Sequence, residues 1–309
     1  MLATLNAVAP IFLTILIGYL LFRYRVVGED IWSAIEHICF YLLFPFLLVR
    51  TLARADLGEL PVFEFAMVVL FAPIGMAALL LAARPLLAAY YNLSGPTFTS
   101  IFQGATRFHG FMAIAVIGPL YGQAGLALAA LAISVMVPLL NVISVVILTA
   151  YGSEGQAASA RIMATRIAQN PLILACIVGL ILNMTGLPDF AFNTIEIIGD
   201  GGLGLALLAV GAGIRLDKAL QSMTLVTVGV LIRLIGMPLI MMLLAWLVGL
   251  EGLPRTVAII AAAVPTASTA YVMARKMGGD AELMANIVTF QVILAAVTLP
   301  LFIYIADRF

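Results

Sequence analysis

From Asn6 to Ile305 the chain is a succession of apolar runs, each about as long as a helix needs to cross the roughly 30 Å hydrocarbon core of a bilayer. That pattern limits the fold before any motif is considered, because lipid hydrates no unpaired backbone group and therefore admits helices but no open strands. Of the 309 residues 64% are hydrophobic and 10% are charged, whereas a soluble globule carries about a quarter charged residues. The spacing predicts spans at Asn6–Phe22, Trp32–Leu52, Val62–Ala83, Thr97–Leu120, Gly125–Thr149, Pro171–Leu187, Phe192–Ile214, Leu220–Leu250, Thr256–Ala274 and Leu283–Ile305. The longest polar interruption, GSEGQAASARIMATRIAQN, separates five spans from five. The expected organisation is thus a first five-helix unit over 1–151, a cytoplasmic connecting loop over 152–170 and a second five-helix unit over 171–309.

Lys and Arg outside the spans set the expected orientation. Arg23, Arg25, Arg84, Arg161, Arg166, Arg215, Lys218, Arg275 and Lys276 fall on one side, against Arg50, Arg54, Arg255 and Arg308 on the other. The richer side is predicted to be cytoplasmic, with both termini periplasmic, in an inner-membrane protein. The first run lacks a basic lead and a small-residue cleavage pattern, so it reads as a retained helix. Five helices per half turn the second half upside down relative to the first, the inverted-repeat layout of many secondary carriers. Short echoes support the repeat: Ala34-Ile35-Glu36 against Thr194-Ile195-Glu196, and Gly122-Gln123-Ala124 against Gly279-Asp280-Ala281.

Several chemistries are excluded. Acidic and basic residues number 15 each, which leaves no basic excess for nucleic acid. Cys39 and Cys176 sit singly in apolar runs, and the only histidines are His37 and His109, so no metal spacing, cofactor motif or catalytic constellation is expected, and the chain does not read as an enzyme.

The informative residues are those that do not belong in lipid, since a charge at the bilayer centre costs about 2.5–3.5 kcal/mol on insertion scales. The fourth span, TFTSIFQGATRFHGFMAIAVIGPLYG, places Gln103, Thr106, Arg107 and His109 together and follows them with Gly110, Gly118 and Pro119. The ninth, TVAIIAAAVPTASTAYVMARKMGG, is interrupted by Pro265, followed by Thr266, Ser268 and Thr269. Both are expected to be broken helices whose freed backbone groups face a cavity or a partner. Pro265 should displace the carbonyl of Ala261, leaving an acceptor near hydroxyls. Arg107 offers a planar fork of donors matched to a carboxylate; its compensation is either an anionic substrate or an internal ion pair with Glu36, Glu64, Glu196 or Asp200. His109 is either a packing histidine or a proton carrier. Glu196 and Asp200, four apart on the seventh span among glycines, are candidates for proton or cation coupling, with a solvated vestibule or pairing with Arg233 as the plainer readings. Asn141, Asn183, Asn286 and Gln291 suit interhelical hydrogen bonds, and Asn141 joins the candidate site because it follows the broken fourth span.

NPLILACIVGLILNMTGLP at Asn170–Pro188, with APIFLTILIGYLL, FYLLFPFLLVRTL, YGQAGLALA and VPTASTAYVMARKMGGD, resembles the auxin efflux carrier family, to which the plant auxin carriers and their bacterial relatives belong. The resemblance covers nearly the whole chain. It implies an all-α integral membrane fold of ten helices in two inverted five-helix repeats, a scaffold of helices one, two, six and seven that mediates homodimerisation, and a transport unit in which broken helices four and nine cross at the substrate site. Carried over by position, it implies a substrate site around Thr106, Arg107, His109, Asn141, Pro265, Thr266 and Ser268. His109 stands where the family commonly has asparagine, and Pro119 falls later than the family's crossover proline. The expected activity is secondary transport of a small organic anion, a carboxylate, dicarboxylate or auxin-like acid, with uniport, proton coupling and sodium coupling open. A sodium-coupled carrier resembling bile-acid symporters and a non-transporting membrane sensor or scaffold are the alternatives.

Overall fold

A computed structural model describes residues 2–55, 61–153, 165, 168–215 and 223–309. Arg161, Arg166 and Lys218, and most of the connecting loop expected at 152–170, lie outside them. The described residues are helical, without strands: α1 Leu2–Arg23, α2 Glu29–Ala53, α3 Val62–Tyr91, α4 Gly95–Thr106, α5 Gly110–Tyr151, α6 Pro171–Thr185, α7 Asp189–Ala212, α8 Met223–Val248, α9 Gly252–Ala263, α10 Thr269–Lys276 and α11 Ala281–Ala306. Among the described residues, six helical stretches are long and apolar enough to cross a membrane: α2, α3, Gly95–Tyr151, α7, α8 and α11. Val8–Arg23, α6 and α9 are shorter apolar helices. Leu86, Met184, Ile197 and Val297 are each more than two-thirds exposed. Such side chains, repeated around the molecule, fit a solvent of lipid rather than water.

The local sequence explains where the helices bend. Both α2 and α8 pass through a π turn, Cys39–Leu43 and Ile232–Gly236, and in each a proline, Pro45 or Pro238, follows two residues later. Proline removes an amide and crowds the carbonyl one turn back, and the extra residue of a π turn absorbs that conflict. In α5 the kink falls at Gly122 (φ 59°, ψ −149°), which only glycine adopts without strain, whereas Pro119 is carried inside the helix. The third helix runs beyond the expected end at Ala83 to Tyr91, through Pro85. Asn170 caps α6, its Oδ1 accepting from the amides of Leu172 (2.9 Å) and Ile173 (3.4 Å), with Pro171 in the first turn where its missing N–H is harmless.

Two groups of helices follow from small residues. A Cβ added to Gly18 would lie 2.0 Å from the Leu208 carbonyl oxygen, and one on Gly211 1.9 Å from that of Ile15, so α1 and α7 cross backbone to backbone. Gly179 and Gly199 bring α6 and α7 against Leu52 and Leu47 of α2. Asn183 of α6 donates to the carbonyls of Leu52, Ala53 and Ala55 at the end of α2 (2.8–3.3 Å). On the other side Gly104 of α4 and Gly229 of α8 both seat Ile287 of α11. The centre of the molecule is formed by Phe98–His109 and Thr256–Thr266, every residue of which is buried.

Arginines mark the two ends. At one, Arg215 lies over Phe22 (4.2 Å), Arg84 over Tyr151 (4.1 Å), and the Ser153 amide donates to the Gly278 carbonyl (2.8 Å). At the other, Arg50 pairs with Glu196 (3.6 Å) and Asp200, Arg54 with Asp189 (3.5 Å), and Arg255 lies over Phe309 (5.1 Å).

Candidate functional site

Two half-helices end in the same way at the centre. α4 and α9 are each 12 residues long, and the residue after each is extended: Arg107 at φ −70°, ψ 149°, and Val264 at φ −69°, ψ 149°. After α9 the cause is Pro265, which pushes its predecessor out of the helical region and supplies no donor. After α4 no proline is present, and the break is held by tertiary hydrogen bonds. The Gly104 carbonyl accepts from the Thr266 hydroxyl (2.7 Å) and from Gln291 Nε2 (2.8 Å), and the Arg107 carbonyl accepts from the same hydroxyl (3.1 Å). Gln291 Oε1 in turn accepts from the Thr266 amide (2.9 Å).

Arg233, fully buried in the π turn of α8, completes the seam. Its Nε donates to the Val264 carbonyl (2.9 Å), Nη1 to Thr106 (3.3 Å) and Nη2 to Ala261 (3.3 Å). One guanidinium thus meets the carbonyl ends of both half-helices, where the aligned peptide dipoles concentrate partial negative charge. The Ala261 carbonyl that Pro265 frees is taken by Arg233. Pairing of Arg233 with the α7 carboxylates, one of the sequence readings, does not occur: Glu196 and Asp200 pair with Arg50.

The opposite side of the seam is open. A cavity of about 300 Å³ is lined by Arg107, His109, Asn141 and Ser268, together with Glu36 and Thr269 and the apolar Phe40, Phe111, Ile133 and Leu172. The first residues of α5 (Gly110, Phe111) and of α10 (Thr269) border it, so two helix N-termini, the positive ends of their dipoles, lie at the same space. Arg107, 9% exposed, donates through Nη1 to Ser144 Oγ (3.3 Å) and Met273 Sδ (3.0 Å) and through Nη2 to Thr269 Oγ1 (3.2 Å). All three partners are neutral, and among the described residues no carboxylate lies within ion-pairing distance, so neither Glu36, Glu64, Glu196 nor Asp200 compensates it. His109 packs edge-on to Phe111 (6.0 Å between ring centres), and its buried Nδ1 has no hydrogen-bond partner among the described residues. The cavity meets a wider one of about 590 Å³, with Glu36, Ser268 and Val272 in both walls and Arg215, Arg275 and Glu282 further out.

Of the residues singled out in the sequence, Arg107, His109, Asn141 and Ser268 come together on this cavity. Thr106, Pro265 and Thr266 do not. Thr106 Oγ1 donates back to the Phe102 carbonyl (2.8 Å), Pro265 shapes the backbone, and Thr266 is engaged in the seam. Glu196 and Asp200 lie away from the cavity, beside Arg50. Sequence reasoning weighed Glu36 only as an ion-pair partner and overlooked Ser144 and Met273. Arg233 carried a signal, a cation in mid-span, but its partners are carbonyls that no side-chain pattern reveals.

A chain of long apolar helices around a largely apolar cavity with a few polar groups in its wall is a membrane protein with room for a small solute. The chain belongs to the membrane transport protein family, the family of the auxin efflux carriers, whose sequence profile matches residues 3–303. It is 25% identical over 300 residues to an uncharacterized transporter of Methanothermobacter thermautotrophicus, covering 96% of each chain. It is 31% identical over 146 residues to auxin efflux carrier component 6 of Arabidopsis thaliana, and 25% over 138 residues to auxin efflux carrier component 2 of Oryza sativa subsp. japonica. Those matches span 43% and 42% of this chain but only 25% and 22% of the plant proteins.

Proposed function

We propose that this protein is a secondary transporter that carries a small organic anion, a carboxylate, dicarboxylate or auxin-like acid, across the inner membrane by alternating access. The observation that carries the reading is Arg107: a buried guanidinium in a cavity wall, bonded only to neutral atoms, with two helix N-termini bordering the same space. A charge so placed is stable only against a counter-charge, and a carboxylate is the group its fork matches. His109, Asn141 and Ser268 would contact the rest of the solute, while Thr106, Pro265 and Thr266 keep the backbone in register.

The near-identical ends of α4 and α9 support two inverted repeats over 1–151 and 171–309, ten spans in all, with these helices crossing at the site. The tight mutual packing of α1, α2, α6 and α7 fits a scaffold, and its apolar outer face suits homodimerisation in the membrane. The remaining helices would move against it. The wide cavity bearing Arg215 and Arg275 would then be the cytoplasmic vestibule of an inward-open state, with both termini periplasmic. Sodium coupling, as in bile-acid symporters, fits less well, because the half-helix carbonyl ends that hold sodium in such carriers are here bonded to Arg233.

The test is reconstitution into liposomes with mono- and dicarboxylates under separately imposed proton, sodium and electrical gradients. Uptake of at least one acid, lost in Arg107→Ala, is expected. Absence of uptake under every gradient, with binding untouched by Arg107→Ala, would sink the reading.

A further inference from the structure

The sequence pointed to Glu196 and Asp200 for coupling, but a different carboxylate reaches the cavity. Glu36, on α2, stands where the cavity narrows toward the vestibule and belongs to both walls. It makes no ion pair among the described residues, and its side chain is exposed. Charged and titratable groups face it from every side: Arg107 and His109 from the break before α5, Arg215 from beyond α7, Tyr271 and Arg275 from α10, Glu282 from α11, and Cys39 from its own helix. His37, the next residue on α2, stacks instead on Tyr41 (4.4 Å).

We propose that Glu36 is the proton-binding site of the transport cycle, so that each carboxylate carried by Arg107 travels with one proton on Glu36. The inference rests on the anion-transport reading above. The physical ground is repulsion between like charges in one small cavity. Without solute, Glu36 is a carboxylate on the same cavity as Arg107 but makes no ion pair with it. A carboxylate that enters to satisfy Arg107 adds a second negative charge within the same apolar walls, and like charges in such a space favour protonation of one of them. By linkage, anion binding tightens proton binding at Glu36, and protonation of Glu36 tightens anion binding by the same factor. The proton comes from water on the loading side, forms an O–H bond on a Glu36 carboxylate oxygen, and returns to water where the anion leaves. No other bond is made or broken. Glu196 and Asp200 are not placed to serve in this way, because both lie beside Arg50 and line neither cavity.

The test uses the full chain in liposomes containing a pH-sensitive dye, with L-lactate, L-malate and indole-3-acetate as probes and protein-free liposomes correcting for passive entry of the neutral acids. Between about pH 6.5 and 8, where the probes are ionised, wild-type uptake should fall with rising pH, by up to about tenfold per unit, with one proton per anion. Glu36→Gln should take up the acid with no accompanying proton and no pH dependence, and Glu36→Asp should restore both. Anion uptake at equal rates across this range without protons overturns the proposal and leaves the transport reading intact. So does loss of the proton signal in a His109 variant but not in Glu36→Gln. Preferential, proton-free uptake of a zwitterion such as alanine also overturns it, because Glu36 would then meet an ammonium group. No uptake of any carboxylate by the wild type overturns the transport reading and this one together.

Discussion

Arg233 and Arg107 lie on opposite sides of one seam and are satisfied in opposite ways. Arg233 has no exposed surface and donates to three backbone carbonyls from two half-helices. Arg107 donates to a serine, a threonine and a thioether and borders a cavity. The first charge is balanced by the fixed dipole ends of the fold, so the fold needs it. The second is bonded only to neutral groups, as the proposed anion site requires. A buried cation is therefore a structural device or a ligand device according to whether its counter-charge is built in.

The comparison would break if both arginines behaved alike on substitution. Arg233→Ala leaves three buried carbonyls without their partner and should destabilise the protein by about 3–5 kcal/mol, seen as lost folded yield and a lowered thermal midpoint in detergent. Arg233→Lys should recover only part of this, since an ammonium cannot span carbonyls arranged around a planar fork. Arg107→Ala should act the other way. Anion affinity falls about 10–100-fold in calorimetric titration, while the melting temperature holds or rises because a desolvated charge has been removed.

The two sides of the seam were not equally legible in the sequence. Apolar run length announced an all-helical membrane chain, because the bilayer sets it, though the expected spans 97–120 and 125–149 fall instead on a 12-residue helix and one long helix kinked at Gly122; Pro265 announced the break after α9 because its effect is covalent and local. The matching break after α4 has no such mark. It depends on Thr266, Gln291 and Arg233, residues 159, 184 and 126 positions beyond Arg107. Arg107 and His109 were visible as charges out of place in lipid, but sequence could not say whether a carboxylate waited opposite. Glu36 offers the reverse case. In the sequence it could be weighed only as one of four acids that might pair with Arg107, and only the packing of α2, α7 and α10 brings it to the cavity.

A milder pair of substitutions sharpens the same contrast within five residues. Thr266→Val keeps the shape of the side chain but leaves the Gly104 and Arg107 carbonyls short of a donor, for a cost of about 1–3 kcal/mol in stability. Ser268→Ala should leave the stability within about 0.5 kcal/mol of wild type, since Ser268 lies in the cavity wall and its side chain caps no helix. Its effect should appear in anion affinity, as a loss of a few fold. Thermal melts and titrations of both variants decide this, and a stability loss in Ser268→Ala with unchanged affinity would place that residue in the seam after all.

The smallest effect is expected at the carboxylates that the sequence made most conspicuous. Glu196 and Asp200 are about half exposed beside Arg50 at the far end of α2, and exposed pairs of this kind contribute about 0–1 kcal/mol. Asp200→Asn and Glu196→Gln should each change stability by no more than that, and the small loss should shrink further as salt screens the pair. Neither should alter the pH dependence of uptake, because neither carboxylate lines the cavity or the vestibule. Uptake in either variant that lost its proton requirement would mean that α2 and α7 separate during the cycle and that these acids titrate in turn. The scaffold assigned to α1, α2, α6 and α7 would then not be rigid, and the division of the molecule into a fixed and a moving part would have to be drawn elsewhere.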